Sequence, residues 1–360
     1  MDAIDAALVK IKRTGVELVS CLEYPIAPEL RQQIHALSHS GDDEIERLGQ
    51  LDCRLGRHFA QAALDLLSQA GVERGRIRAI GSHGQTIRHR PPSAAGAAEA
   101  PFTLQIGDPN TIAEITGITT VADFRRRDVA AGGEGAPLAP AFHAAVFSST
   151  EHARAIINIG GIANISLLDG DFVAGFDSGP GNTLLDHWIH QQSGKHFDHD
   201  GCWAAEGKVD EALLERLLQH PYLKLAPPKS TGKEAFNLGW LQQQLQDFSG
   251  LEPIDVQATL AEFTATSICN ALVQHPISVD ELYVCGGGAA NGDLMRRLYR
   301  RLSPAYLGTT SELGCDPAWV EAAAFAWLAQ RTLEGLSGNL PAVTGAVGER
   351  VLGAIYPGKH

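Results

Sequence analysis

Residues 175–188 read GFDSGPGNTLLDHW. An apolar approach through Phe172, Val173 and Phe176 ends on one carboxylate, Asp177, followed by Ser178-Gly179-Pro180-Gly181-Asn182. An acid in that place has two readings. The plainer one is a turn-forming Asp, because Asp bonds its own backbone and favours turns. The sharper one is an acid held over a pocket, because ligands of open α/β sheets sit beyond the carboxyl ends of the strands.

Two more glycine clusters repeat the arrangement. NIGGIAN (158–164) follows a strand pattern, and CGGGAANGDL (285–294) lies between the strand-like ELYV and a helical pattern starting near Gly292. Glycines let a backbone come close to a ligand, and N–H groups at a helix start attract phosphate. Each cluster alone reads as a tight turn; together with Gly179-Pro180-Gly181 they point to a nucleotide cleft. Neither is a dinucleotide fingerprint, since neither gives G-x-G-x-x-G with an acid about 20 residues later. PPKSTGKE (227–234) is not a Walker loop, because Glu234 follows Lys233 and Pro227 stands where the first glycine belongs.

The other polar groups divide in the same way. HFDHDG (196–201) crowds two His and two Asp, yet its spacing fits no common zinc template, so a polar turn is the simpler reading and no metal ligands are assigned. GSHGQT (81–86) lacks the nucleophile-elbow pattern. DFRRRD (123–128) puts three arginines directly after a strand, either at the ligand-bearing end of a sheet or as a solvated charge run. Glu321, among Trp319, Val320, Ala322, Ala323, Ala324 and Phe325, lies at a helix's exposed edge or is kept for a ligand hydroxyl.

The elements that must position these residues alternate along the chain. Strands are predicted over 6–11, 76–81, 102–106, 119–124, 155–159, 163–168, 172–176 and 281–285. Helices are predicted over 43–69, 110–115, 137–147, 182–192, 210–218, 255–274, 292–302 and 317–334. The class is α/β, and INIGGIANI reads as a glycine-turned antiparallel hairpin, so the sheets are mixed. RPPSAAGAAEAP (90–101) is a small-residue loop, mobile and without chemistry. A length of 360 residues with 44% hydrophobic content supports a large core in two domains. With 29 Lys+Arg against 42 Asp+Glu, the net charge of −13 argues against a nucleic-acid or anionic-membrane surface and favours small-molecule chemistry. Six cysteines without a C-x-x-C pair suggest neither zinc nor disulfides and fit a reducing compartment. No apolar run approaches the roughly 20 residues of a membrane span, and no signal-peptide pattern opens the chain, so a soluble cytoplasmic protein is expected.

Taken together the motifs resemble one family, the anhydro-N-acetylmuramic acid kinases of the sugar kinase/Hsp70/actin superfamily. The matching segments are IDAALV, IGSHGQTIRH, LQIGDP, VADFRRRDVAAGGEGAPLAPAFH, NIGGIANIS, FDSGPGNTLLD, FDHDGCWAAEGKV, PKSTGKEAFN, DVQATLAEFTA, CGGGAANGDLM and PAWVEAAAFAWLA, in order from Asp2 to about Pro357. The resemblance implies a two-domain actin-like ATPase (ribonuclease H-like) fold with mixed sheets around a central cleft. Residues 1–124 plus 338–360 would form the first domain and 125–337 the second. It implies an ATP-dependent kinase, with Mg2+ accompanying ATP, that converts 1,6-anhydro-N-acetylmuramic acid and water into N-acetylmuramic acid 6-phosphate in peptidoglycan recycling. Asp177 matches the family's catalytic base, held by its Gly-Pro-Gly shoulder, while Arg126 and Glu321 match residues that meet the sugar. Asp2, Asn158, Gly160, Gly161, Gly286, Gly287 and Gly288 match the nucleotide side. The implied partners are the amino sugar and ATP, with no nucleic acid and no membrane, and a homodimer is compatible with them.

One departure opens an alternative. In the family a strand and a turn of the type Gly-Met-Ser-Gly-Thr-Ser lead into Asp-Gly-Ile-Asp, whereas this sequence starts at MDAIDAAL, with Ala3 in place of the glycine. The alternative is a truncated or non-catalytic sugar-binding relative that lacks the first phosphate-binding loop and leaves a strand edge unpaired.

Overall fold

The protein is described by a computed structural model covering residues 3–12, 15–94, 100–227, 229–302 and 305–359. Its strands, in chain order, are β1 (Ala3–Lys12), β2 (Gly15–Pro25), β3 (Ile80–Ser82), β4 (Gln85–Arg90), β5 (Phe102–Ile106), β6 (Thr120–Ala122), β7 (Arg154–Ile159), β8 (Ile162–Asp169), β9 (Phe172–Pro180), β10 (Glu281–Cys285), β11 (Tyr306–Thr309) and β12 (Ala354–Tyr356). The chain packs as two units, Met1–Val146 with Glu321–His360, and Phe147–Val320.

In the first unit β1 and β2 form an antiparallel hairpin, β4 and β5 a second one, and β3, β6 and β12 a small mixed sheet. Leu30, Ile34 and Leu37 of the helix Pro28–Leu37 and Leu51 and Leu55 of the helix Glu44–Ala70 bury against Ile4, Ile87 and Ile106. The apolar stripe at three- and four-residue spacing sets which side of each helix faces the strands. The expected strand over 76–81 is shifted, because Arg74–Arg76 turn as a 3-10 helix and only Ile80–Ser82 pair. The expected strand over 119–124 shortens to β6, since Asp123 takes a left-handed φ of 63° and the helix Arg126–Ala130 follows. β2, β4 and the helix Pro28–Leu37 were not expected. β4 reads QTIRHR, mostly polar, and its single buried residue, Ile87, gives no alternation to detect.

The second unit is built on five strands in the order β11-β10-β7-β8-β9. β7, β8 and β9 form an antiparallel meander, and β10 and β11 add in parallel on the other side of β7. This is the strand order of a ribonuclease H-like sheet, and the expected INIGGIANI hairpin is its first turn. Strand side chains alternate between faces. One set, Ala155, Ile157, Ile159, Ala163, Ile165, Leu167 and Phe176, is fully buried against Ala265, Ile268 and Leu272 of the helix Pro253–Val273. Burying a Leu- or Ile-sized side chain is worth ~1.5–3 kcal/mol, so this face fixes the register. A one-residue slip would turn the whole set outward. A second apolar cluster, with Leu184, Trp188, Leu213, Phe236 and Phe263, anchors the helices Thr183–Ser193 and Glu211–Leu218. No helix among the described residues is long and apolar enough to cross a membrane.

Candidate active site

The residues between those buried positions face the other way, and the register lines them up. Cys285 pairs with Asn158, Asn158 with Asn164, and Asn164 with Asp177. Directly paired residues share a face, so three polar side chains stand in one row on three adjacent strands. At about 4.8 Å per strand, Asn158 and Asp177 are roughly 10 Å apart. A β-bulge at Ala163/Asn164 sets Ser178 out of the ladder, with its Oγ donating to the Ala163 carbonyl at 3.1 Å. Bulges of this kind re-aim neighbouring side chains.

Asp177 is 9% exposed. Its Oδ2 accepts from Ser230 Oγ and from the Thr231 backbone N–H, each at 2.9 Å. Its own N–H donates to the Lys229 carbonyl at 3.1 Å, and its carbonyl accepts from the Tyr222 hydroxyl at 2.8 Å. Oδ1 takes no hydrogen bond from any described residue. Burial pushes the carboxyl above the ordinary carboxylate range, and the Thr231 and Ser230 donors and the Lys229 charge pull against it. The result is a stronger base than a solvated Asp that still ionises. Lys229 lies 5.0 Å from the Tyr222 ring centre, and its ammonium is pushed toward neutrality by burial and drawn back by Asp177.

The three glycine clusters meet in this unit. The Gly181 N–H donates to Gly161 O at 2.9 Å, the Asn182 N–H to Gly160 O at 2.8 Å, and the Thr183 N–H to Gly161 O at 3.1 Å. Asn182 Nδ2 also donates to Ile159 O at 3.2 Å. The start of the helix Thr183–Ser193 is thus closed by the 160–161 turn. Gly286, at a φ of 77°, and Gly288 lie so close to Asn158 and Ile159 that a Cβ at either would come under 3.0 Å. Gly160 and Gly287 are different, since a Cβ there would meet nothing nearer than 3.6 Å and 3.7 Å. The Lys233 stem lies over Gly161, its Cε 2.6 Å from where a Cβ would stand.

The sugar-side candidates belong to the first unit. Arg126 is exposed; its Nε donates to Thr103 O at 3.4 Å and lies 3.6 Å from Asp123 Oδ1, leaving its Nη groups unbonded among the described residues. Arg125 turns inward, donating through Nε to His83 Nε2 at 3.0 Å and through Nη1 to Gly135 O at 2.8 Å. Burial, then the Arg125 charge, lowers the His83 pKa to about 3, so the ring stays neutral and accepts from Arg125. Asp128 is buried and spent on Gly135 N–H, Asn339 and Thr344. Glu321, exposed in the first turn of the helix Val320–Leu333, acts electrostatically on Arg125 and on Asp5. Partial burial, then the charges of Glu23 and Glu321, raises the Asp5 carboxyl pKa.

Asp2 lies outside the described residues, as do 95–99 of the expected small-residue loop, where Ser93 is tied to Glu134. The HFDHDG segment is a polar turn. Asp198 accepts from the Trp203 and Ala204 N–H groups, and Asp200 from Gly292 N–H. Sequence reasoning passed over Lys229, Ser230, Thr231, Lys233, Tyr222 and Asp5. The hydroxyls and lysines of PKSTGK were the available signal, but nothing local ties them to an acid 53 residues earlier.

A family model described as anhydro-N-acetylmuramic acid kinase matches residues 1–358. The anhydro-N-acetylmuramic acid kinase of Shewanella loihica is 53% identical over 360 residues, spanning 99% of this chain and 96% of its own length. That of Shewanella pealeana is 51% identical over 359 residues, with the same coverage. Among solved structures, the activator of the 2-hydroxyisocaproyl-CoA dehydratase from Clostridium difficile with bound ADPNP superposes with a TM-score of 0.41 at 12% identity, covering 91% of this chain and 97% of that one.

Proposed function

The chain belongs to the anhydro-N-acetylmuramic acid kinase family, and from that premise we propose how its residues divide the family's reaction. The enzyme is an ATP-dependent phosphotransferase that converts 1,6-anhydro-N-acetylmuramic acid and water into N-acetylmuramic acid 6-phosphate in peptidoglycan recycling. The observation that carries this reading is the family match over residues 1–358.

Opening a 1,6-anhydro ring needs a base to take a proton from water as its oxygen bonds C1, the task of the carboxylate base in an inverting glycosidase. Asp177 is our candidate. Its Oδ2 is occupied by two donors, and its Oδ1 takes none from any described residue. The water proton goes to Oδ1, the C1–O6 bond breaks, O6 bonds the γ-phosphorus, and ADP leaves with the bridging oxygen. Mg2+ bound with ATP would supply positive charge to offset that of the phosphates. Gly160 and Gly287 are the turn glycines whose bare Cα no packing contact demands, so they are our points of close nucleotide approach. Lys233 adds positive charge over Gly161. The free Nη groups of Arg126 suit the substrate's lactyl carboxylate, since a guanidinium pairs a carboxylate through two parallel bonds. Glu321 accepts from a sugar hydroxyl.

We further propose that the two packed units act as lobes of an actin-like kinase, that the enzyme works in the cytoplasm, and that it assembles as a homodimer. Light scattering on a sizing column tests the last. The test of function is the purified chain with ATP and the anhydro sugar. ADP release matched by a 6-phosphate ester in the 31P spectrum is expected. ADP release without that ester refutes the acceptor, and no release refutes the activity.

A further inference from the structure

The backbone and one carboxylate oxygen of Asp177 are gripped by a single short stretch of chain, 222–231. The Tyr222 hydroxyl holds the Asp177 carbonyl, the Lys229 carbonyl holds its N–H, and Ser230 and Thr231 hold Oδ2. Lys229 in turn rests on Tyr222 and donates to Leu223 O at 3.4 Å, which ties the two ends of the strap together. The sheet neighbour β8 contributes Asn164 opposite Asp177, and the helix Pro253–Val273 contributes Ser267 beside Gly179; neither side chain titrates. Among the described residues, the titratable groups acting on the carboxylate are Lys229 and Tyr222, both within 222–231.

We propose that the strap 229–231 is the positioning element of the base: Ser230 and Thr231 occupy Oδ2 so that Oδ1 alone accepts the proton of the attacking water. A carboxylate with both oxygens free can rotate and present either lone pair, whereas two donors converging on one oxygen fix the plane of the group. The donors also stabilise the ionised form, so they set where on the pH scale the base becomes available. This inference rests on reading Asp177 as the base.

The experiment uses the full chain and three variants, Ser230→Ala, Ser230→Thr and Asp177→Asn, with kcat/KM for the anhydro sugar followed against pH. Ser230 is exposed, so its truncation opens no core. Removing a donor from the ionised form raises the carboxyl pKa. The acid limb of Ser230→Ala is therefore expected to move up by about half to one pH unit, with kcat lowered roughly tenfold. Ser230→Thr, which keeps a hydroxyl, returns the limb to its place. The same shift is expected in the 13C carboxyl resonance of Asp177 without substrate, which needs no turnover. An acid limb and carboxyl resonance that stay put in Ser230→Ala, while Asp177→Asn is inactive, overturn the strap and leave the base standing. Full activity in Asp177→Asn overturns the base and the strap with it.

Discussion

Gly181→Ala and Gly160→Ala change neighbouring glycines of one nested turn by the same methyl, and the structure gives them opposite outcomes. A Cβ on Gly181 would stand closer than 3.0 Å to Gly160 O and 3.2 Å from Ala163 N, both backbone atoms with no rotamer to move. Forcing a methyl into such a space costs ~1–3 kcal/mol. Spreading the turn also weakens the Asn182 N–H to Gly160 O and Gly181 N–H to Gly161 O bonds, at about 0.5–1.5 kcal/mol each. The total is roughly 2–6 kcal/mol, or a fall in Tm of roughly 5–20 °C for a unit of this size. A Cβ on Gly160 meets nothing nearer than Ile162 O at 3.6 Å, and its φ is not left-handed. Gly160→Ala should hold its Tm within ~2 °C, as surface changes do, yet raise KM for ATP if the nucleotide approaches at Gly160 as proposed. Thermal melts and steady-state kinetics on both variants read this directly. Equal melting of the two refutes the packing explanation of Gly181, and an unchanged ATP KM in Gly160→Ala reduces Gly160 to a turn residue.

Asp177→Asn should lower kcat by ~10²- to 10⁴-fold, the usual loss of general-base help. Because burial raises the folded carboxyl pKa, ionised Asp177 costs stability above that pKa, and Asp177→Asn should melt at or above the wild-type temperature at pH 7; a clear loss of stability refutes the sign. His83 titrates near 3 in the fold against 6.5 in the open chain, so its contribution to stability is present above pH 6.5 and lost as pH falls from there toward 3. Melts of His83→Gln should show a shallower decline across that window, and an identical slope refutes the assignment. Lys233→Ala should raise KM for ATP roughly tenfold with KM for the sugar unchanged, the worth of one charge-assisted contact; a rise in the sugar KM instead moves Lys233 off the phosphates.

What the sequence disclosed follows from which relations are local. The alternation over 155–167 announced two strands, and Gly160-Gly161 announced the turn between them, so the placement of Asn158 opposite Asn164 was within reach of pattern alone. The third strand carried the row on to Asp177. The arginine triplet was less transparent. Read as letters, Arg125, Arg126 and Arg127 are equivalent. The left-handed φ at Asp123 and the helix that follows turn Arg125 toward His83 and leave Arg126 exposed. No periodicity encodes that rotation. Asp5 was passed over for the same reason, since its neighbours Glu23 and Glu321 come from the paired strand and from the far end of the chain.

The Gly179-Pro180-Gly181 shoulder shows how a correct motif can be assigned the wrong work. Its sequence suggests a rigid mount for Asp177, but the bonds to the carboxylate come from Ser230 and Thr231. Gly181 serves the neighbouring turn, letting the chain pass Gly160 at backbone contact and seat the helix Thr183–Ser193. Gly179, at a φ of 151°, clears Leu223 and Ser267. The glycines therefore bring the 160–161 turn next to the strand that ends in the acid, and a loop from 53 residues away bonds the acid itself. Separating these two tasks lets the carboxylate be tuned through its donors without disturbing the turn, so Ser230→Ala is expected to move the acid limb while the 160–161 turn and the helix it seats stay in place.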